Sequence, residues 1–268
     1  MKRKIFALPI LLLSLAVLFS ACDKKTSQSA STEGAYDNEE FLLARADADT
    51  AVAELRYDDG EIGDWLLWSP GRGTPGIADY DSASGWHFRN WEYENDFIEV
   101  ASSDSFRLTD INSDYQRHRD STTNVFDRRI KKRLVYAPQS DSLRDNWLRT
   151  RERNMIWSGL ADSVTTLNGD FHRRWIGEAR RLNFTREIEG TLDNIKFYTR
   201  DLHDGRPSYP FDGVFEADMV LDVETEHREV FVEAHLAVTF YREGDQFCYH
   251  ARLERGDNWW EWDRCFPE

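Results

Sequence analysis

The chain has 268 residues, a formal net charge of −15, and 40% hydrophobic and 31% charged side chains. That composition suits a globular fold rather than a disordered one. Its acidity argues against nucleic acid as a partner and against bare anionic lipid over most of the surface.

The first residues carry an address. Lys2, Arg3 and Lys4 are followed by an apolar stretch from Ile5 to Phe19, long enough for a signal-peptide core and too short to span a bilayer comfortably. It ends in Phe19-Ser20-Ala21-Cys22, which resembles the lipobox of bacterial lipoproteins, with Phe19 where Leu is usual. The resemblance covers only this leader. It implies a signal peptide over 1–21, lipid on Cys22, and a cell-envelope protein facing the periplasm or exterior and held to a membrane by its N-terminal lipid. Loss of Lys2, Arg3 and Lys4 with the leader would take the charge from −15 to −18. No later apolar run approaches the length of a membrane span.

Residues 22–40 are rich in Ser, Thr, Lys and Asp and read as a flexible tether, about 20 Å in mean span. Residues 41–268 read as a single mainly β domain. Ala53, Leu55 and Tyr57 alternate with Glu54 and Arg56 before an Asp58-Asp59-Gly60 turn. Trp65–Trp68 is a short apolar run, and Ser69–Gly76 is a loop. Trp86–Phe88 and Phe97–Val100 read as strands. Between 110 and 150 the pattern is faint, and Leu143 and Trp147 one turn apart suggest a helix over Ser142–Arg153.

The clearest antiparallel sheet is expected at 152–268. Val164–Leu167 runs into Asn168-Gly169, a strong two-residue hairpin signal. Strands are expected near Phe171–Ile176, Ile188–Leu192 and Ile195–Thr199. Phe215, Ala217, Met219, Leu221 and Val223 share one face of the next strand. Val230, Val232, Ala234, Leu236, Val238 and Phe240 share one face of another, and Phe247, Tyr249, Ala251 and Leu253 of a third. The pattern is a period-two antiparallel sheet with one buried face. The predicted fold is therefore mainly β, a sandwich or an open barrel-like meander, with room for one or two helices in the first half.

After Cys22, the cysteines are Cys248 and Cys265, and a pair in an oxidising compartment reads as one disulfide. Gly256-Asp257 suits a type II′ hairpin loop, with glycine first. That register sets Arg255 against Asn258 and Cys248 against Cys265 on a non-hydrogen-bonded pair, about 4.5 Å between Cα atoms. It also sets Arg252 against Glu261 and His250 against Asp263 on one face, and Leu253 against Trp260 and Ala251 against Trp262 on the other.

Several motifs carry little chemistry. Gly71–Gly76 spells GxGxxG, but Pro75 interrupts it and no helix follows. His118-Arg119-Asp120 lacks the other parts of a kinase catalytic loop. Asp58, Asp59, Glu61 and Asp64 fit no calcium-loop spacing, and no zinc or serine-hydrolase signature is present. No catalytic residue, metal ligand or cofactor is assigned. The segment Arg117–Arg133 is basic, and pairing with the protein's own carboxylates is the favoured reading over a docking site. The Trp residues read as core rather than as a platform for sugar rings.

The expected function is a membrane-anchored extracytoplasmic binding or structural module without catalysis, with a glycan or an envelope protein as further partner. The alternative is a glycan-active or other hydrolase with a carboxylate pair. A third reading, a chaperone-like or lipid-carrying sheet, requires a concave apolar cavity.

Overall fold

The computed structural model describes residues 79–136, 146–179, 182–203, 209–225 and 229–267. In chain order they form β1 (Asp79–Asp81), β2 (Trp86–Glu94), β3 (Ile98–Asp110), β4 (Tyr115–Gln116), β5 (Thr123–Tyr136) and β6 (Asn146–Ser158). There follow β7 (Val164–Ala179), β8 (Leu182–Tyr198), α1 (Thr199–His203), β9 (Asp212–Thr225), β10 (Glu229–Glu243), β11 (Gln246–Arg255) and β12 (Asn258–Pro267). All twelve strands belong to one antiparallel sheet, ordered as in the chain except for β4, which pairs with β3 off the main path. Among the described strands the sheet is not closed into a barrel. Among the described residues the mainly β expectation therefore holds as one open meander rather than a sandwich.

Alternation explains why the later strands form. On β9, Phe215, Ala217 and Met219 are buried while Glu216, Asp218 and Asp222 are exposed. On β10, Val232, Ala234, Leu236, Val238 and Phe240 are buried in the same way. Apart from Val232, these residues join Phe106, Phe126, Trp157, Leu167, Ile195, Phe197, Tyr249, Ala251, Leu253 and Trp262 in one cluster lining what we term the inner face. Leu202 of α1 completes that cluster.

Two short hairpins use the same Gly-Asp device. Gly244 and Gly256 have φ of 60° and 55°, a conformation glycine adopts without steric cost. The second sets the β11–β12 register as predicted: Arg255 faces Asn258, Leu253 faces Trp260, and Cys248 faces Cys265. The two sulfurs are bonded, with Cα atoms 4.1 Å apart.

Three expectations are corrected. Asn168-Gly169 is no hairpin, because β7 runs through it from Val164 to Ala179. The pair forms an irregularity in the ladder between Leu167 and Gly169, opposite Ile195 and Leu192 of β8. A Cβ on Gly169 would lie 2.2 Å from the Asn154 carbonyl oxygen, so the glycine admits a close backbone approach. The Asn168 side chain accepts a hydrogen bond at 2.8 Å from the backbone N–H of Asn194, itself at φ 53°. Second, Ile188–Leu192 and Ile195–Tyr198 are one strand, β8, interrupted by the matching shift between Asp193 and Lys196.

Third, the helix expected over Ser142–Arg153 is a strand from Asn146 onward, β6, residues 142–145 lying outside the described residues. Among the described residues the helix is α1, in the second half. The misreading has a physical cause. Arg149, Arg151 and Arg153 occupy the inner positions of β6, and Leu148 and Ile156 the outer ones. Three consecutive inner positions are thus charged before Met155 and Trp157 resume the apolar face, so hydropathy over this stretch gives no period of two.

Candidate functional site

The inner face changes character along its length. Near α1 it is the apolar cluster described above. Toward the end that carries the β7–β8 and β9–β10 connections it becomes cationic. Arg149, Arg151 and Arg153 take successive inner positions on β6, with Arg173 of β7 opposite Arg151 and Trp175 opposite Arg149. Arg186 of β8 lies opposite Trp175, and Lys132 of β5 lies opposite Arg151 on its other side. With strands about 4.8 Å apart and same-face neighbours about 7 Å apart, these positions fall within a patch about 15 Å across.

Such crowding has an electrostatic cost. Arg153 is 6% exposed, and burial pushes its pKa down to about 10. Burial also lowers the Arg149 guanidinium from its ordinary value, and the positive charges of Arg151 and Arg186 add to the shift. Like charges opposite one another, as at Arg151 and Arg173, destabilise a sheet. Between Arg149 and Arg186 stands Trp175, whose buried Nε1 donor has no acceptor among the described residues. Phe184 meets the Trp175 ring edge-on at 5.1 Å.

The carboxylate placed among these cations is Asp104 of β3, and it is engaged. Arg128 donates to it through Nε at 3.0 Å and Nη2 at 2.9 Å, and Arg89 through Nη2 at 3.0 Å. Acidic groups collect instead on the outer face of β8–β10, where Glu189 stands opposite Asp218 and Glu224 opposite Glu229. The protein is acidic overall, yet charge is sorted by face. Among the described residues, arginines gather on the inner face of β6–β8.

No family model, curated protein or solved structure matches the chain.

The residues singled out from the sequence are scattered relative to this patch. Cys22, the Gly71–Gly76 loop, Trp65, Trp68 and the acidic cluster from Asp58 to Asp64 lie outside the described residues. Cys248 and Cys265 lie on β11 and β12, with Glu243 close by, but sulfurs joined to each other are not thiolate ligands. His250 and Asp263 pair at 3.1 Å on the same hairpin, as a structural contact. The His118-Arg119-Asp120 triplet belongs to a turn, where Asp120 accepts hydrogen bonds from the Thr122 backbone N–H at 2.8 Å and hydroxyl at 2.6 Å.

The basic segment Arg117–Arg133 is divided between the two faces of β5 and its approach. Arg128 takes Asp104, Lys131 takes Glu152 at 2.9 Å, and Arg133 takes Glu99. Arg129 lies 4.5 Å from the Trp86 ring centre, Lys132 5.7 Å from that of Trp91, and Arg117 5.7 Å from that of Tyr80. Internal carboxylates and rings thus engage much of it, in line with the favoured reading. A Trp platform is not assembled among the described residues. Trp91 and Trp259 are exposed but sit on β2 and β12, and Trp262 is 4% exposed.

The arginines of β6–β8 were missed, because single cations in a faint strand pattern look like solvated surface. The signal available was the spacing itself: Arg149, Arg151 and Arg153 alternate strictly.

A separate titratable group is buried at the β2–β3 contact. His87 is 7% exposed and stacks on Phe106 at 4.4 Å between ring centres. Burial lowers its pKa from the ordinary 6.5; a hydrogen bond to the Gln116 backbone opposes this, and the charges of His118 and Arg117 reinforce it. The folded pKa lies below the unfolded one, so the unfolded chain takes up a proton first. The stability that neutral His87 provides is present above about pH 6.5 and is lost as pH falls through the folded pKa. Urea midpoints at pH 7.5 and 5.5 should differ more for wild type than for His87→Phe. An equal drop in both would assign the pH dependence to other groups.

Proposed function

We propose that this chain is a membrane-tethered, extracytoplasmic binding module that receives an anionic ligand on the arginine patch of its inner face. The observation that carries the reading is the cross-strand set of Arg149, Arg151, Arg173 and Arg186 around the Trp175 donor. Arginines set opposite one another across strands bring several N–H donors to one face, a departure from ordinary cross-strand pairing of the kind that concentrates at functional sites. Guanidinium groups suit phosphate or carboxylate oxygens because their paired N–H donors match them.

The hydrolase alternative draws less support. The carboxylate among the inner cations, Asp104, is held by Arg128 and Arg89, whereas general acid–base chemistry on a glycoside needs two carboxyls flanking one bond. The tethering half of the proposal rests on the lipobox-like sequence ending in Cys22.

Both halves are testable. Cys22→Ser should move the protein from the membrane fraction to the soluble one in a lipoprotein-processing host. The mature chain should bind pyrophosphate in calorimetry, weakening as salt rises. Arg151→Gln combined with Arg173→Gln should weaken binding at least tenfold, with unchanged circular dichroism. Failure of wild type to bind any such anion would overturn the ligand reading.

A further inference from the structure

The β10–β11 ladder is shorter than the strand that carries it. Its pairs run from Glu243 opposite Gln246 to His235 opposite Glu254, and the chain then turns into β12 through Gly256 and Asp257. β10 itself extends to Glu229 and stays paired with β9 over that length. Among the described residues no strand lies beside Glu229–Ala234 on the β11 side. That position is an open notch of about 510 Å³, with Phe231, Glu233, Asp257, Asn258 and Trp260 among its lining.

Register decides which groups face the notch. A two-residue hairpin loop is flanked by a hydrogen-bonded pair, here Glu243 with Gln246, and such pairs alternate along an antiparallel ladder. The odd-numbered residues of β10 therefore bond toward β11 and the even-numbered ones toward β9. Continued past His235, the same rule turns the N–H and C=O groups of Glu233, Phe231 and Glu229 into the notch. No turn or loop hydrogen bond among the described residues engages these three.

The side chains sort by the same alternation. Val230 and Val232 lie on the inner face, where the apolar rows from Val223 and Leu221 stop. Phe231 stands on the outer face, 55% exposed, between the exposed Glu229 and Glu233. Sheet proteins normally blunt or cover a strand segment left open beside an exposed aromatic ring. Strand addition is the recognition mode that such an edge serves.

We propose that the Glu229–Glu233 edge of β10 receives an extended segment of a partner protein, added antiparallel as a strand in line with β11. Its basic residues stand opposite Glu229 and Glu233, an aromatic or aliphatic one opposite Phe231, and apolar ones beside Val230 and Val232. The inference is independent of the arginines on β6–β8. Backbone hydrogen bonds to Glu229, Phe231 and Glu233 supply affinity, and the alternation of basic and apolar side chains supplies selectivity. The chain's net charge of −15 favours encounter with a basic segment. A second copy of this chain fits less well. Pairing β10 with β10 about Phe231 would set Glu229 opposite Glu233 at both ends, and like charges directly opposite destabilise a strand pair.

The test uses the chain carrying Cys22→Ser, immobilised on a biosensor, and the capped peptide Lys-Val-Phe-Val-Lys as probe. The peptide should bind with a Kd below about 1 mM, and its counterpart with Glu in place of both Lys should bind at least tenfold more weakly. N-methylation of the central Phe, whose N–H would face β10, should abolish binding. N-methylation of either Val, whose N–H would face away, should leave the affinity within about threefold. Phe231→Pro should abolish binding with unchanged circular dichroism, because by register its N–H takes no part in the β9 ladder. Equal effects of N-methylation at Phe and at Val would show docking through side chains alone and would overturn the proposal. Absence of binding by the unmodified peptide would overturn it as well. A dimer seen in sedimentation and lost on Phe231→Pro would make a second copy the occupant and overturn the choice of partner. The peptide series leaves β10 unaltered, so it decides the matter even if Phe231→Pro fails to fold.

Discussion

Asp104→Ala is expected to destabilise the fold by about 3–5 kcal/mol, enough to unfold a marginal domain. Asp104 is 3% exposed and lies between two guanidinium groups, bidentate to Arg128 and singly bonded to Arg89. Arg128 is itself buried, with 6% of its side chain exposed. Removing the carboxylate leaves that cation in a poorly solvating site, next to a face already crowded with positive charge. The loss exceeds the net worth of the ion pair, because a buried guanidinium deprived of its carboxylate is the larger cost. Asp104→Asn keeps the shape and some of the hydrogen bonding, so its effect should be smaller. Asp104→Leu combined with Arg128→Met should recover much of the loss, since apolar replacement of a buried pair is often neutral. Urea unfolding of the four proteins measures this directly. A loss below about 1 kcal/mol for Asp104→Ala would mean that the pair is solvated and energetically idle.

Replacing Cys248 and Cys265 together with Ser should cost about 3 kcal/mol by the chain-entropy estimate for a loop of this size. The two residues are 17 positions apart and join β12, which has β11 as its paired neighbour among the described strands, to the sheet. The structural consequence is as specific as the energetic one. Trp262 is 4% exposed and belongs to the core cluster, with Trp260 and Phe266 packed against it. Fraying of β12 would expose these rings, so the double variant should show altered Trp fluorescence before global unfolding. Its urea midpoint should fall by an amount that reduction of the wild type reproduces. Free thiols at Cys248 and Cys265 in exported protein, found by non-reducing peptide mapping, would remove the basis for this expectation.

The two cases differ in how much of them a reader of the sequence could see. The β11–β12 hairpin was legible down to individual pairs, because a Gly-Asp loop restricts register and even the Cys248–Cys265 pair is 17 positions apart along the chain. His250 with Asp263 and Leu253 with Trp260 follow from counting outward from one turn. The alternating strands β9 and β10 were legible for a related reason: burying one face of a sheet forces apolar residues to every second position. Asp104 and Arg128 are 24 positions apart on strands joined through β4 and its turns. Nothing local distinguishes that aspartate from its exposed neighbours.

Local sequence also misled where tertiary geometry changed its meaning. Asn168-Gly169 has the composition of a tight turn, but here the missing Cβ admits the Asn154 carbonyl of β6 beside a ladder irregularity against β8. Trp147 and its arginine-rich sequel resemble a helix edge because the inner positions of β6 are charged. What the sequence determined by itself was the mainly β class, the one-sided strands of the C-terminal half and the disulfide hairpin, all consequences of period two and short-range turn chemistry. What only the tertiary structure decided was the single open sheet and the gathering of Arg149, Arg151, Arg153, Arg173 and Arg186 on one face. Their meeting depends on the registers of three strands at once, and one residue of slip in any of them would turn its arginines to the opposite side.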